Sequence, residues 1–116
     1  MAEEERMQEV ERITKLVVQA LDEKKAEEII VIDVHKRCDF ADRFVIASGT
    51  SSRHLKALAD AVIELSDRLD LGARVEGLQA LEWVLVDLGD LIVHLFLPDV
   101  RETFQLERLW GSPEGK

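Results

Sequence analysis

The 116-residue chain has no tyrosine, two prolines, six glycines and one cysteine, and only 5% of its residues are aromatic. A single cysteine, Cys38, excludes an intramolecular disulfide and any cysteine-rich zinc module. The few glycines and prolines are scattered, and no linker, repeat or low-complexity block is present. No apolar run approaches the ~18 to 20 residues that a membrane helix needs. The opening MAEEERMQEV lacks the basic cap and apolar core of a secretory signal and is too acidic for an organellar transit peptide, so a cytoplasmic location is expected. Positive charge is also short: 15 basic residues face 24 acidic ones, for a net charge of −9. Phosphates repel such a chain unless its basic residues cluster, and here they are dispersed. A neutral or basic protein partner is expected, with no DNA and no membrane. An apolar content of 47% and a charged content of 34% fit one globular domain with a real core.

What the sequence does contain is centred on residues 83–97, WVLVDLGDLIVHLFL. Two β-rich runs flank Gly89-Asp90, a pair that closes hairpins. With that loop, Leu88 meets Leu91, Val86 meets Val93 and Val84 meets Leu95, all on one aliphatic face. The other face sets Trp83 opposite Phe96, Leu85 opposite His94 and Asp87 opposite Ile92. Moving the loop to Leu88-Gly89 would oppose Asp87 and Asp90, a disfavoured pair of like charges. The aliphatic face predicts helices packed on it. The mixed face either lies under the C-terminal segment, with Phe104 and Trp110, or meets a partner.

Around this hairpin the order reads α-β-β-α-β-β-β-α, a mixed sheet of about five strands flanked by helices. Residues 3–24 form a helix with Met7, Val10, Ile13, Val17 and Leu21 on one stripe. The β-branched run at 29–32, extended to 34, predicts a strand covered on both faces. Residues 35–43 are a charged loop, and 44–47 a second strand. The hydroxyls of residues 50–52 cap a helix carrying Leu55, Leu58, Ala59, Val62, Leu65 and Leu69, which Gly72 closes at C′. A short strand over 73–77 precedes the hairpin. Pro98-Asp99 starts two short helical pieces that Gly111 stops, leaving residues 112–116 as a flexible tail after a domain at 1–111.

Catalytic and metal readings find little support. The segment FVIASGTSSRHLKAL places hydroxyls and amides at a helix N-terminus, but it has one glycine and no phosphate-loop pattern; a capped strand-helix junction accounts for it. Arg53 and His54 in that first turn hint at an external acidic or polar contact. Metal-dependent nucleotidyl transfer needs converging carboxylates, yet Asp87 and Asp90 straddle a turn, and Asp33, Asp39 and Asp42 form no D-x-D within a strand. His35 and Cys38 make at most half a zinc site, and pairing Cys38 with His54 or His94 as a nucleophile has no local signature. No cofactor and no enzymatic activity are expected. Trp83 has the strongest case, because tryptophan is enriched at interface hot spots.

The segments FVIASGTSSRHLKALAD, VEG, EWVLVDLGDLIVHLF and VRETFQLERLWG together closely resemble the ribosomal silencing factor family (RsfS, or Iojap-like). That resemblance implies an α/β fold related to nucleotidyltransferases but without their catalysis. It also implies binding to the large ribosomal subunit through its fourteenth ribosomal protein (uL fourteen), which blocks subunit joining and lowers translation. Members are commonly homodimers when free. The family's partner-contacting tryptophan corresponds to Trp83, and the face argument extends the site to Leu85, Asp87 and His94. Arg43 and Phe104 depart from the usual aromatic and tyrosine; lying outside the hairpin, they are expected to touch packing or the dimer surface and to leave partner recognition intact. The competing readings are a metal-dependent nucleotidyltransferase and a dimeric scaffold module unrelated to ribosomes.

Overall fold

The computed structural model describes residues 2–110. Helix α1 (Glu3–Glu23) buries Val10, Ile13, Val17 and Leu21 of the predicted stripe, together with Thr14, and leaves Met7 half-buried. The Thr14 hydroxyl donates to the Val10 carbonyl at 2.7 Å, so its burial leaves no unpaired donor. Helix α2 (Ser52–Arg68) starts at Ser51, whose Oγ accepts the His54 N–H at 3.1 Å. It ends differently from expectation. Asp70, at φ +58, takes the C′ position assigned to Gly72, which is itself left-handed at φ +68 two residues on, and the Leu71 and Asp70 N–H groups close onto the Ser66 and Asp67 carbonyls. Aspartate tolerates this conformation at modest cost, so the glycine rule pointed two residues too far.

Strands β1 (Glu27–Asp33), β2 (Arg43–Ser48), β3 (Arg74–Glu76), β4 (Trp83–Asp87) and β5 (Leu91–Phe96) form one mixed sheet in the order β1-β2-β5-β4-β3. Only β2 and β5 run parallel; the other neighbours are antiparallel. The hairpin register is the one read from the sequence, with Trp83 opposite Phe96, Leu85 opposite His94 and Asp87 opposite Ile92. At its turn Gly89 adopts φ +102, and its N–H donates to Asp87 Oδ1 at 2.9 Å.

The two faces are covered unequally. Helices α1 and α2 pack on the aliphatic face, where Leu55, Leu58 and Val62 meet Val84, Val86, Val93 and Leu95. The mixed face lies beneath the 34–42 loop and two short helices, α3 (Pro98–Phe104) and α4 (Leu106–Trp110). Two expectations change here. β1 is not covered on both faces: it is the sheet edge, Val31 is 45% exposed, and Ile32 is its one buried residue. A β-branched run reports local stiffness and cannot tell a central strand from an edge. The 35–43 segment is more than a connecting loop, since Cys38 and Ala41 enter the core and Asp42 is buried. The expected stop at Gly111 and tail at 112–116 lie outside the described residues.

Asp42 fastens these parts together. Its carboxylate receives the Arg6 guanidinium from α1 and faces His35 Nδ1 at 3.0 Å, while Arg6 Nη1 also stands 3.6 Å from Asp90 at the hairpin turn. Burial alone would raise the Asp42 pKa; the hydrogen bonds from His35 and Arg6 outweigh it and hold the group below the usual carboxylate range. Arg43 works alongside, reaching Glu11 at 3.3 Å and Asp33 at 3.4 Å.

Leu58→Ala should destabilise the chain by about 2 to 5 kcal/mol, and Val31→Ala at the edge by about 1 kcal/mol or less. Denaturant midpoints of the two variants test whether the α2 face carries the core.

Candidate functional site

The Trp83 backbone is held before its side chain is considered. Gly77 has φ +93, and a Cβ there would lie 2.1 Å from the Trp83 carbonyl oxygen, so no other residue fits. The Leu81 N–H closes the intervening turn onto the Gly77 carbonyl at 3.0 Å, and the Leu97 N–H binds the Glu82 carbonyl at 2.9 Å. These contacts deliver Trp83 to the first position of β4, next to the last residue of β5.

The indole then fits among other rings. Its centroid is 4.9 Å from Phe96, 4.8 Å from Phe104 and 6.0 Å from His94. Phe44 meets His94 edge-on at 4.7 Å, and Trp110 meets Phe44 edge-on at 5.5 Å. Five of the chain's six aromatic residues therefore form one cluster on the mixed face. Phe96 and Phe44 are buried, Trp83 and Trp110 are partly exposed, and Phe104 is 51% exposed. Buried rings beneath and exposed rings above give a surface that is apolar and held in place.

His94 sets the electrostatics. Trp83 Nε1–H donates to His94 Nδ1 at 3.2 Å, which assigns Nδ1 as an acceptor and the ring proton to Nε2. Nε2 is buried with no hydrogen-bond partner among the described residues. Burial pushes the His94 pKa down to about 4, so the ring is neutral near pH 7 and keeps its bond to Trp83.

Of the four residues singled out in the sequence, Trp83, Leu85 and Asp87 reach the surface, each partly exposed. His94 is 5% exposed and lies beneath Trp83; it holds the indole rather than presenting itself. Asp87 uses Oδ1 to brace the turn. Phe104, weighed in the sequence as part of a cover over the mixed face and not as a site residue, lies against Trp83 in a tilted ring contact. No stripe marks it, because α3 has seven residues and its contact is with a strand.

Several of the other candidate groups are engaged elsewhere. His54 turns inward, accepting the Thr50 N–H at 2.9 Å through Nδ1 and bridging to the Lys24 carbonyl at 2.8 Å through Nε2, in place of an external acidic contact. Asp42 and Asp90 converge on Arg6, and Asp33 caps the His35 N–H at 3.0 Å. Among the described residues no three His, Cys, Asp or Glu side chains are grouped to hold a metal ion, and no helix is long and apolar enough to cross a membrane.

Residues 7–116 match the family model described as "Ribosomal silencing factor during starvation". The chain is 45% identical over 105 residues to a ribosomal silencing factor of Zymomonas mobilis, covering 87% of this chain and 77% of that one. It is 40% identical over 99 residues to the mouse protein named "Mitochondrial assembly of ribosomal large subunit protein 1"; the match covers 82% of this chain and 43% of that one. A crystal structure of a Chromobacterium violaceum protein superposes with a TM-score of 0.85 at 39% identity, covering 88% of this chain and 86% of that one.

The unfolded His94 imidazole takes up a proton near pH 6.5, whereas the folded one resists until about pH 4. Between these values the unfolded chain binds more protons, so this contribution to stability is full above pH 6.5 and declines as pH falls toward 4. Denaturation midpoints across that window should fall in the native chain and fall less in a His94→Phe variant; equal slopes would show that His94 contributes nothing.

Proposed function

The chain belongs to the ribosomal silencing factor family, and on that premise we propose that it binds the large ribosomal subunit through the fourteenth ribosomal protein (uL fourteen) and sterically blocks joining of the small subunit. It then acts as a cytoplasmic repressor of translation. The mechanism requires a footprint, with no bond made or broken. Trp83 is the central contact, Leu85 and Asp87 extend it along β4, and Phe104 extends it across α3. His94 serves from beneath by fixing the indole.

One observation supports the assignment of the surface: a partly exposed tryptophan in tilted ring contact with both Phe96 and Phe104, its N–H satisfied from below by a neutral histidine. Such a side chain loses little rotational freedom on docking and needs no new partner for its donor, and both properties favour affinity. The net charge of −9 supports a basic protein as the target and disfavours loose attachment to the surrounding RNA. In the free state the chain forms a homodimer in this reading.

The name of the mouse relative favours a second reading, a role in assembling the large subunit. Depleting the protein separates the two: incomplete large subunits would accumulate if it acts in assembly, and excess joined ribosomes if it acts only as a block.

Trp83→Ala should weaken binding to isolated large subunits by about 2 kcal/mol or more, roughly thirtyfold in Kd. Unchanged binding by a normally folded variant would reject the surface. Affinity for the isolated ribosomal protein should also fall as salt is added, and a flat response would contradict the charge argument.

A further inference from the structure

Phe104 rests against Trp83, yet the helix that brings it there is anchored by a buried charge. Among the described residues Arg101 is the one buried side chain of α3, and α4 has none. Val100, Leu106 and Trp110 pack on the mixed-face core while remaining partly exposed. Arg101 is 6% exposed, an unusual burial for a guanidinium. Its Nη1 donates to Ser48 Oγ at 2.8 Å and its Nε to Glu107 Oε2 at 3.1 Å. Its carbonyl accepts the Gln105 N–H at 2.8 Å, closing α3 at a residue in the left-handed conformation, φ +50. One residue therefore ties together the end of β2, α3 and α4.

The strand register shows where this grip is applied. Ser48 on β2 pairs with Phe96 on β5, and Phe96 pairs with Trp83 on β4. The three form one row across the sheet, so Ser48 and Trp83 stand about 10 Å apart at the ordinary strand spacing. Helix α3 bridges that row. Arg101 holds Ser48 at one end, and the Phe104 ring centroid lies 4.8 Å from the indole at the other. Side chains three apart on a helix are neighbours on one face, so seating Arg101 also sets the position of Phe104. Apolar contact has no preferred direction, whereas the planar guanidinium bonds at fixed angles.

We propose that Arg101 is a positioning residue for the docking surface, fixing Phe104 against Trp83 through its bonds to Ser48 and Glu107. An apolar side chain in its place would leave α3 packed on the sheet but free to slide, and Phe104 would lose its fixed contact with the indole. The docking role rests on the ribosome-binding reading. The ring geometry belongs to the free chain and is measured there.

In nuclear Overhauser spectra of the free chain, Arg101→Met should lose the Trp83–Phe104 ring contact and keep the Trp83–Phe96 contact. The same variant should bind isolated large subunits about threefold or more weakly, within the range of couplings inside one contact network. Because Arg101 acts through Phe104, the double variant Arg101→Met, Phe104→Ala should bind no more weakly than Phe104→Ala alone. General loosening of the fold would not give that equality. Ser48→Ala, a smaller change that removes one of the two partners, provides the same readings if Arg101→Met fails to fold. The proposal is overturned if the Trp83–Phe104 contact persists in the folded variants, or if the losses from Arg101→Met and Phe104→Ala multiply. Absence of binding by the unaltered chain would sink the ribosome reading and the docking role together, a result distinct from unchanged ring contacts, which sink the positioning alone.

Discussion

The pairing of Trp83 with Phe96 across the β4–β5 hairpin is the constraint on which the rest of the mixed face depends. A two-residue turn at Gly89-Asp90 sets the register, and the register decides which side chains share a face. With Trp83 opposite Phe96, Leu85 falls opposite His94, and the indole N–H comes within hydrogen-bond distance of the imidazole. A slip of one residue would move Trp83 among the aliphatic side chains under α1 and α2 and leave the His94 side without its upper ring. Gly77 enforces the same geometry from the other direction, because only a residue without a Cβ can pass the Trp83 carbonyl.

The two faces divide the work of the sheet. Long helices with continuous apolar stripes cover the aliphatic face, and that side supplies most of the core. The mixed face has only two short helices and a loop above it, too little to enclose its rings fully. Exposed aromatic surface is the consequence, and its concentration in one place, in a chain with six aromatic residues, is what supports the proposed docking surface. His94 allows a ring system with a polar edge to sit there without charge, since a neutral imidazole can accept from tryptophan where a protonated one cannot.

Much of this was legible in the sequence because periodicity reports faces directly. The stripes of α1 and α2, the cap at Ser51 and the hairpin pairing all follow from spacing and turn chemistry. What escaped depends on tertiary neighbours. Residues 29–32 read alike at an edge and at a centre, and only the strand order places them outside. Asp42 and Arg101 look like surface charges until Arg6 and Ser48 arrive from distant segments and Glu107 from the next short helix. The proposed Trp83 surface is only half legible in the sequence: its β4 members share one strand face, whereas the Phe104 contact comes from a helix too short to show a period, and the burial of His94 depends on what covers the sheet.

The central claim is that this chain silences translation by occupying a surface of the large subunit that the small subunit needs. The most direct measurement is a joining assay in which isolated large subunits are saturated with the protein, small subunits are added, and the products are separated by sedimentation. The account predicts that the protein travels with the large subunit and that joined ribosomes are depleted. Normal joining at saturating protein would contradict it.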